Sequence, residues 1–78
     1  MKITNLVIED RINDKFTSRV YLGENADKLL DIIRDDVYSK LGQSLEDLNA
    51  EITNTSVYIT VGDESLFYHF DVVTPEIL

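Results

Sequence analysis

The chain contains no cysteine and no tryptophan, and only one methionine, one proline and three glycines. Without cysteine there is no disulfide and no thiolate chemistry. The single histidine, His69, leaves too few soft ligands for the usual zinc sites. No apolar run approaches the roughly 18 residues needed to cross a bilayer, and Met1 to Asn5 has neither the apolar centre nor the cleavage site of a signal peptide. A cytoplasmic location is the resulting expectation. Most informative is the absence of Lys and Arg after Lys40.

All seven basic residues lie in the first 40 positions, against eight acids. The second half carries Glu46, Asp47, Glu51, Asp63, Glu64, Asp71 and Glu76 with no cation, so seven of the eight net negative charges fall there. A net charge of −8 argues against direct nucleic-acid binding, which needs a basic patch for phosphates. It disfavours an anionic membrane surface for the same reason. An unbalanced acidic segment makes a field that attracts cations or a basic protein. The plainer reading is a solvated surface that keeps a small protein soluble.

With 78 residues and a 44% hydrophobic share, a single folded domain over 1–78 is expected. Lys2 to Glu9 is rich in β-formers, Asp10 to Asn13 and Asp14 form a hairpin loop, and Lys15 to Leu22 alternates. On that second strand Phe16, Ser18, Val20 and Leu22 share one side, with Thr17, Arg19 and Tyr21 on the other. Asn25 is an N-cap, Gly42 a C-terminal stop, and Ala26, Leu29, Leu30, Ile33, Val37 and Leu41 form one apolar helical stripe between them. Ser44 to Leu48 is compatible with a short helical turn, with Ser44 and Asp47 as a weak capping box.

Glu51 to Val61 reads as one strand, Gly62 to Ser65 as a turn, and Leu66 to Val73 as the last strand, stopped by Thr74-Pro75. The expected fold is α+β: an antiparallel four-stranded sheet in the order strand-strand-helix-strand-strand, with one amphipathic helix packed on one face. Apolar residues on both faces of the hairpins (Tyr21, Tyr58, Phe67, Val73) suggest a second contact, most simply a homodimer.

Candidate chemistry is sparse. His69 and Asp71 share a strand face, but no nucleophile motif accompanies them. There is no EF-hand loop, no Gly-rich phosphate loop, and little room for a sugar cleft between paired carboxylates. Asn54-Thr55-Ser56 matches a glycosylation acceptor without a secretory signal. An enzyme is not expected, and neither a cofactor nor a metal is implied. What remains is charge. Asp27, Asp31 and Asp35 repeat every four residues on a helix face beside Asp36, about 6 Å apart along the axis. Duplex DNA presents a phosphate every 3.4 Å per strand, so such a row imitates every second phosphate. Tyr38, on the same side as Asp27 and Asp31, is a candidate anchor.

In size, acidity and strand-helix-strand order the chain resembles small acidic bacteriophage host-takeover proteins of the DNA-mimic type, among them an inhibitor of the nucleoid-associated protein HU. The resemblance implies a non-enzymatic, homodimeric inhibitor in the host bacterial cytoplasm, occupying a basic HU-like protein. The partner-binding positions it implies are Asp27, Asp31, Asp35, Asp36, Glu46, Asp47, Glu51, Asp63, Glu64 and Asp71. The alternative is a sheet-mediated interaction module using Tyr21, Tyr58 or Tyr68, with the acids serving only solubility.

Overall fold

The computed structural model describes residues 1–78. Strands β1 (Ile3–Asp10) and β2 (Lys15–Leu22) form an antiparallel hairpin. Its turn is built by Asp10, whose Oδ1 accepts the amides of Ile12 (3.0 Å) and Asn13 (2.9 Å), and whose Oδ2 accepts the Asn13 side-chain amide (3.0 Å). Short acidic side chains favour turns by offering backbone amides this local partner.

Helix α1 (Ala26–Leu41) follows, and its ends are where the capping residues predict. Asn25 Oδ1 accepts the Lys28 amide at 3.0 Å. Gly42 adopts a left-handed φ of 68° and donates its amide to Tyr38 O at 2.8 Å. Without a Cβ, glycine enters that region at no steric cost. A 3₁₀ turn (Leu45–Asp47) then leads to β3 (Asn49–Ile52), β4 (Ser56–Val61) and β5 (Glu64–Val73). The Ser44 side chain makes no capping bond, so the short turn forms without the expected capping box.

The expected four-stranded sheet is incorrect. The sheet has five antiparallel strands in the order β2-β1-β5-β4-β3. The error lies in Glu51 to Val61, read as one strand but divided at Thr53 to Thr55 into β3 and β4. There Thr53 donates its amide to Ser56 O (2.8 Å), the hydroxyls of Thr53 and Ser56 meet at 2.8 Å, and the Thr55 amide binds Thr53 Oγ1 (3.2 Å). Hydroxyl side chains that bond nearby backbone compete with a continuous ladder, and here they win. The linear order is strand, strand, helix, 3₁₀ turn, strand, strand, strand.

The connection through α1 carries the chain from one sheet edge, β2, to the other, β3. Leu29, Ile33 and Val37 of α1 bury against Leu6 and Ile8 of β1, Leu66 and Tyr68 of β5, and Val57 and Ile59 of β4, with Leu45 of the 3₁₀ turn closing one end. Ala26, placed on the apolar stripe, is exposed, while Leu30 and Leu41 are half-buried beside this core. The other face of the sheet has no covering element. Ile33 is fully buried at the centre of the helix contact. Ile33→Ala is expected to lower unfolding free energy by about 2–5 kcal/mol, as lost transfer energy plus a residual cavity, with an unchanged urea m-value as the check that the fold persists.

Candidate functional site

The ten predicted acidic positions do not form one site. Three belong to α1's exposed side, two to the 3₁₀ turn, and the rest to β3, the β4–β5 turn and β5, while Asp36 turns inward. The Asp36 side chain is 13% exposed and serves the fold. Its Oδ1 accepts Arg19 Nη2 of β2 at 3.2 Å, and its Oδ2 accepts both Lys40 Nζ and the Tyr68 hydroxyl of β5. Asp36 is therefore withdrawn from the candidate recognition surface. A carboxylate buried beside two cations and a phenol stays ionised because its environment supplies partners for both oxygens.

Burial raises the Asp36 carboxyl, but the hydrogen bonds from Lys40 and Tyr68, with the charges of Lys40 and Arg19, outweigh it and hold it below its ordinary value. The same carboxylate and burial push the Tyr68 hydroxyl above its ordinary value, so it stays a donor. Tyr68 is fully buried and thereby excluded as a contact residue of an interaction module. For Arg19 the first cause of a raised value is its bond with Tyr21, with Asp36 adding to it. Alternation along β2 did not reveal which side faces inward. The structure turns Thr17, Arg19 and Tyr21 toward the helix and leaves Phe16, Val20 and Leu22 at 69%, 63% and 78% exposure.

Two more predicted acids share a cation. Arg34 binds Glu46 Oε1 through Nε at 2.6 Å and Asp31 Oδ1 through Nη1 at 3.4 Å. Hydrogen bonding to its own backbone amide and to Arg34 lowers the Glu46 carboxyl. The remaining seven (Asp27, Asp35, Asp47, Glu51, Asp63, Glu64 and Asp71) are exposed and make no ion pair. Along α1, Asp31 and Asp35 border an open groove of about 530 Å³ lined by Tyr21, Leu29 and Ile32, with Lys28 beside them. Tyr38 is exposed on the helix.

Asp63 sits in the two-residue turn between β4 and β5, where Gly62 takes a left-handed φ of 61°, and Glu64 opens β5. Because β3 begins at Asn49 opposite Thr60, Asp47 in the preceding turn lies at this same end of the sheet. Glu51 and Asp71 lie elsewhere, on the open face. His69 shares that face with Asp71 but meets Glu9 instead, Nε2 to Oε2 3.9 Å, and stacks on Phe67 at 4.9 Å between centroids. A catalytic pair of His69 with Asp71 is not assembled. No group of three or more His, Cys, Asp or Glu side chains is arranged to hold a metal ion. No helix is long and apolar enough to cross a membrane.

The residues that sequence reasoning passed over are Phe16, Val20 and Leu22, whose shared side was legible but whose exposure was not. Comparison with known proteins finds no matching family model, curated protein or solved structure.

Asp36→Asn is expected to cost about 2 kcal/mol at pH 7, because it removes a charged acceptor from three donors. A carboxyl with a depressed folded pKa stabilises the fold above its unfolded value and loses that contribution as pH falls through the folded one. The gap between wild type and Asp36→Asn in urea titrations should therefore be constant near neutrality and close below about pH 4, the ordinary aspartate range. A gap that persists at pH 2 would contradict the ionised network.

Proposed function

We propose that this protein is a non-enzymatic inhibitor that presents carboxylates in place of DNA phosphates and occupies a basic DNA-binding protein of the HU type, so blocking its contacts with DNA. One observation carries the reading. Seven of the ten acidic positions are exposed and unpaired, and the strands β5, β4 and β3 that follow one another across the sheet contain no Lys or Arg. The three cations that do make ion pairs with aspartate or glutamate, Arg19, Arg34 and Lys40, are spent on Asp36, Asp31 and Glu46 around the helix. The charge imbalance of the sequence thus becomes a spatial one. A field concentrated over one half of a small protein steers a cationic partner and orients its approach.

The helix row of Asp27, Asp31 and Asp35 adds the spacing of alternate phosphates, though Lys28 and Arg34 soften it. Inhibition by this route needs no nucleophile and no metal. The exposed apolar side of β2 favours a second reading, a sheet-mediated interaction module in which the acids only solubilise.

The two readings separate by charge reversal. Converting Glu46, Asp47, Asp63 and Glu64 to Lys should abolish retention of a small basic DNA-binding protein from bacterial lysate, and duplex DNA should elute that protein from the wild type. Affinity for the purified partner should fall steeply as salt rises from 50 to 500 mM (roughly a threefold shortening of the Debye length). Binding that survives both reversal and salt would favour the module.

A further inference from the structure

We infer that the uncovered face of the sheet is a docking surface for a Lys- or Arg-bearing, apolar segment of a partner protein. The inference rests on the basic-partner reading above and names a further surface that partner uses, beside the carboxylates at the β4–β5 end of the sheet. In an antiparallel sheet directly opposed residues share a face, so the register states what this face contains. One row crosses all five strands as Phe16, Glu9, Phe67, Tyr58 and Glu51. At the opposite end Leu22, Ile3 and Val73 align, followed by Val20, Asn5 and Asp71. No position on this face is Lys or Arg.

The aromatic members are organised. Phe67 packs edge-on against Tyr58 at 5.6 Å and stacks with His69 at 4.9 Å. Three carboxylates, Glu9 near His69, Glu51 and Asp71, therefore lie among the apolar and aromatic side chains, with Ser18, Val7, His69 and Ser56 in the row between. At strand and residue spacings of about 4.8 and 3.3 Å the face measures roughly 600 Å². That is somewhat below the roughly 800 Å² that each partner gives to a standard-size interface.

Charge selects the occupant. Stacked on a second copy, this face would set Glu9, Glu51 and Asp71 against a face with the same three acids and no Lys or Arg, and desolvated like charges oppose association. A wholly apolar partner would strand the same carboxylates. Nucleic acids and anionic membranes are repelled. A cationic segment with interspersed apolar side chains satisfies both components: its apolar groups cover Phe16, Val20 and Leu22, and its cations reach the carboxylates and the faces of Tyr58 and Phe67.

The test uses the full chain and calorimetric titration with two probes, a purified HU-type nucleoid protein and a synthetic peptide of alternating Leu and Lys. The variants are Phe16→Ser/Val20→Ser, Glu51→Gln/Asp71→Asn, and, as a charge-matched control away from the face, Glu24→Gln/Glu76→Gln. All three pairs are exposed, and circular dichroism checks that the fold is retained. Both open-face variants should bind each probe at least about tenfold more weakly, as loss of interface anchors does, with the control within about twofold.

If only the peptide binds and the open-face variants weaken it, the docking surface stands and the HU-type reading fails. If the HU-type protein binds every variant equally, the docking surface is overturned and that reading stands. Binding of neither probe overturns the inference. So does a wild-type dimer in sedimentation that Phe16→Ser/Val20→Ser dissociates, because a second copy then covers the face.

Discussion

The fold depends on the carboxylate of Asp36. An amphipathic helix laid on a sheet is held by apolar contact, which is strong but poorly directional. Asp36 supplies direction by binding Arg19 on β2, Tyr68 on β5 and Lys40 one turn along its own helix. The edge strand, a central strand and the helix are thereby tied at one point. Tyr68 is the largest side chain in the core, and its hydroxyl finds in Asp36 the partner that a buried phenol requires. Lys40 also stands 5.7 Å from the Tyr68 ring centroid, so cation, anion and aromatic group form one connected cluster.

That cluster has an electrostatic consequence beyond its own position. It takes up Arg19 and Lys40 on the helix side of the sheet, and Arg34 is spent on Asp31 and Glu46. None of these three is left to oppose the acids of β3, the β4–β5 turn or β5, and of the four cations outside ion pairs Arg11 stands beside the start of β5, its amide donating to Ser65 O at 3.0 Å. A sheet order of β2-β1-β5-β4-β3 then makes those segments neighbours. Had the last three strands been interleaved with the first two, Arg19 and Lys15 would have stood among the acids and the asymmetry would have been diluted. Strand order, set by packing, is what turns an uneven sequence into an uneven surface.

How much of this could be read in the sequence varies with the range of the interactions concerned. The helix was legible because its determinants are local: a 3.6-residue period, Asn25 at one end and Gly42 at the other. The break at Thr53 to Thr55 was legible in principle, since Thr-Asn-Thr-Ser is a cluster of turn-forming residues, but the flanking β-formers outweighed it. The inward side of β2 was not legible. Alternation separates Phe16, Val20 and Leu22 from Thr17, Arg19 and Tyr21, and hydrophobicity alone favours burying the first set. The second set goes inward because Asp36, 17 residues from Arg19, waits there. The same long-range pairing removes Asp36 from the recognition set, which a count of charges could not foresee.

The open face shows how a small sheet exposes apolar groups without sticking to itself. Flat, apolar sheet surfaces and long edge strands associate readily, and proteins restrain them with charges placed among the apolar residues. Here Glu9 stands between Phe16 and Phe67, Glu51 beside Tyr58, and Asp71 across Asn5 from Val20. Because every charge on the face has one sign, repulsion falls on copies of the same face while attraction is kept for a cationic one. Mixed charges could have paired across two copies and would have distinguished no partner. A face of single sign does both, and that is why its composition bears on function more directly than the helix carboxylates, which share their surface with Lys28 and Arg34.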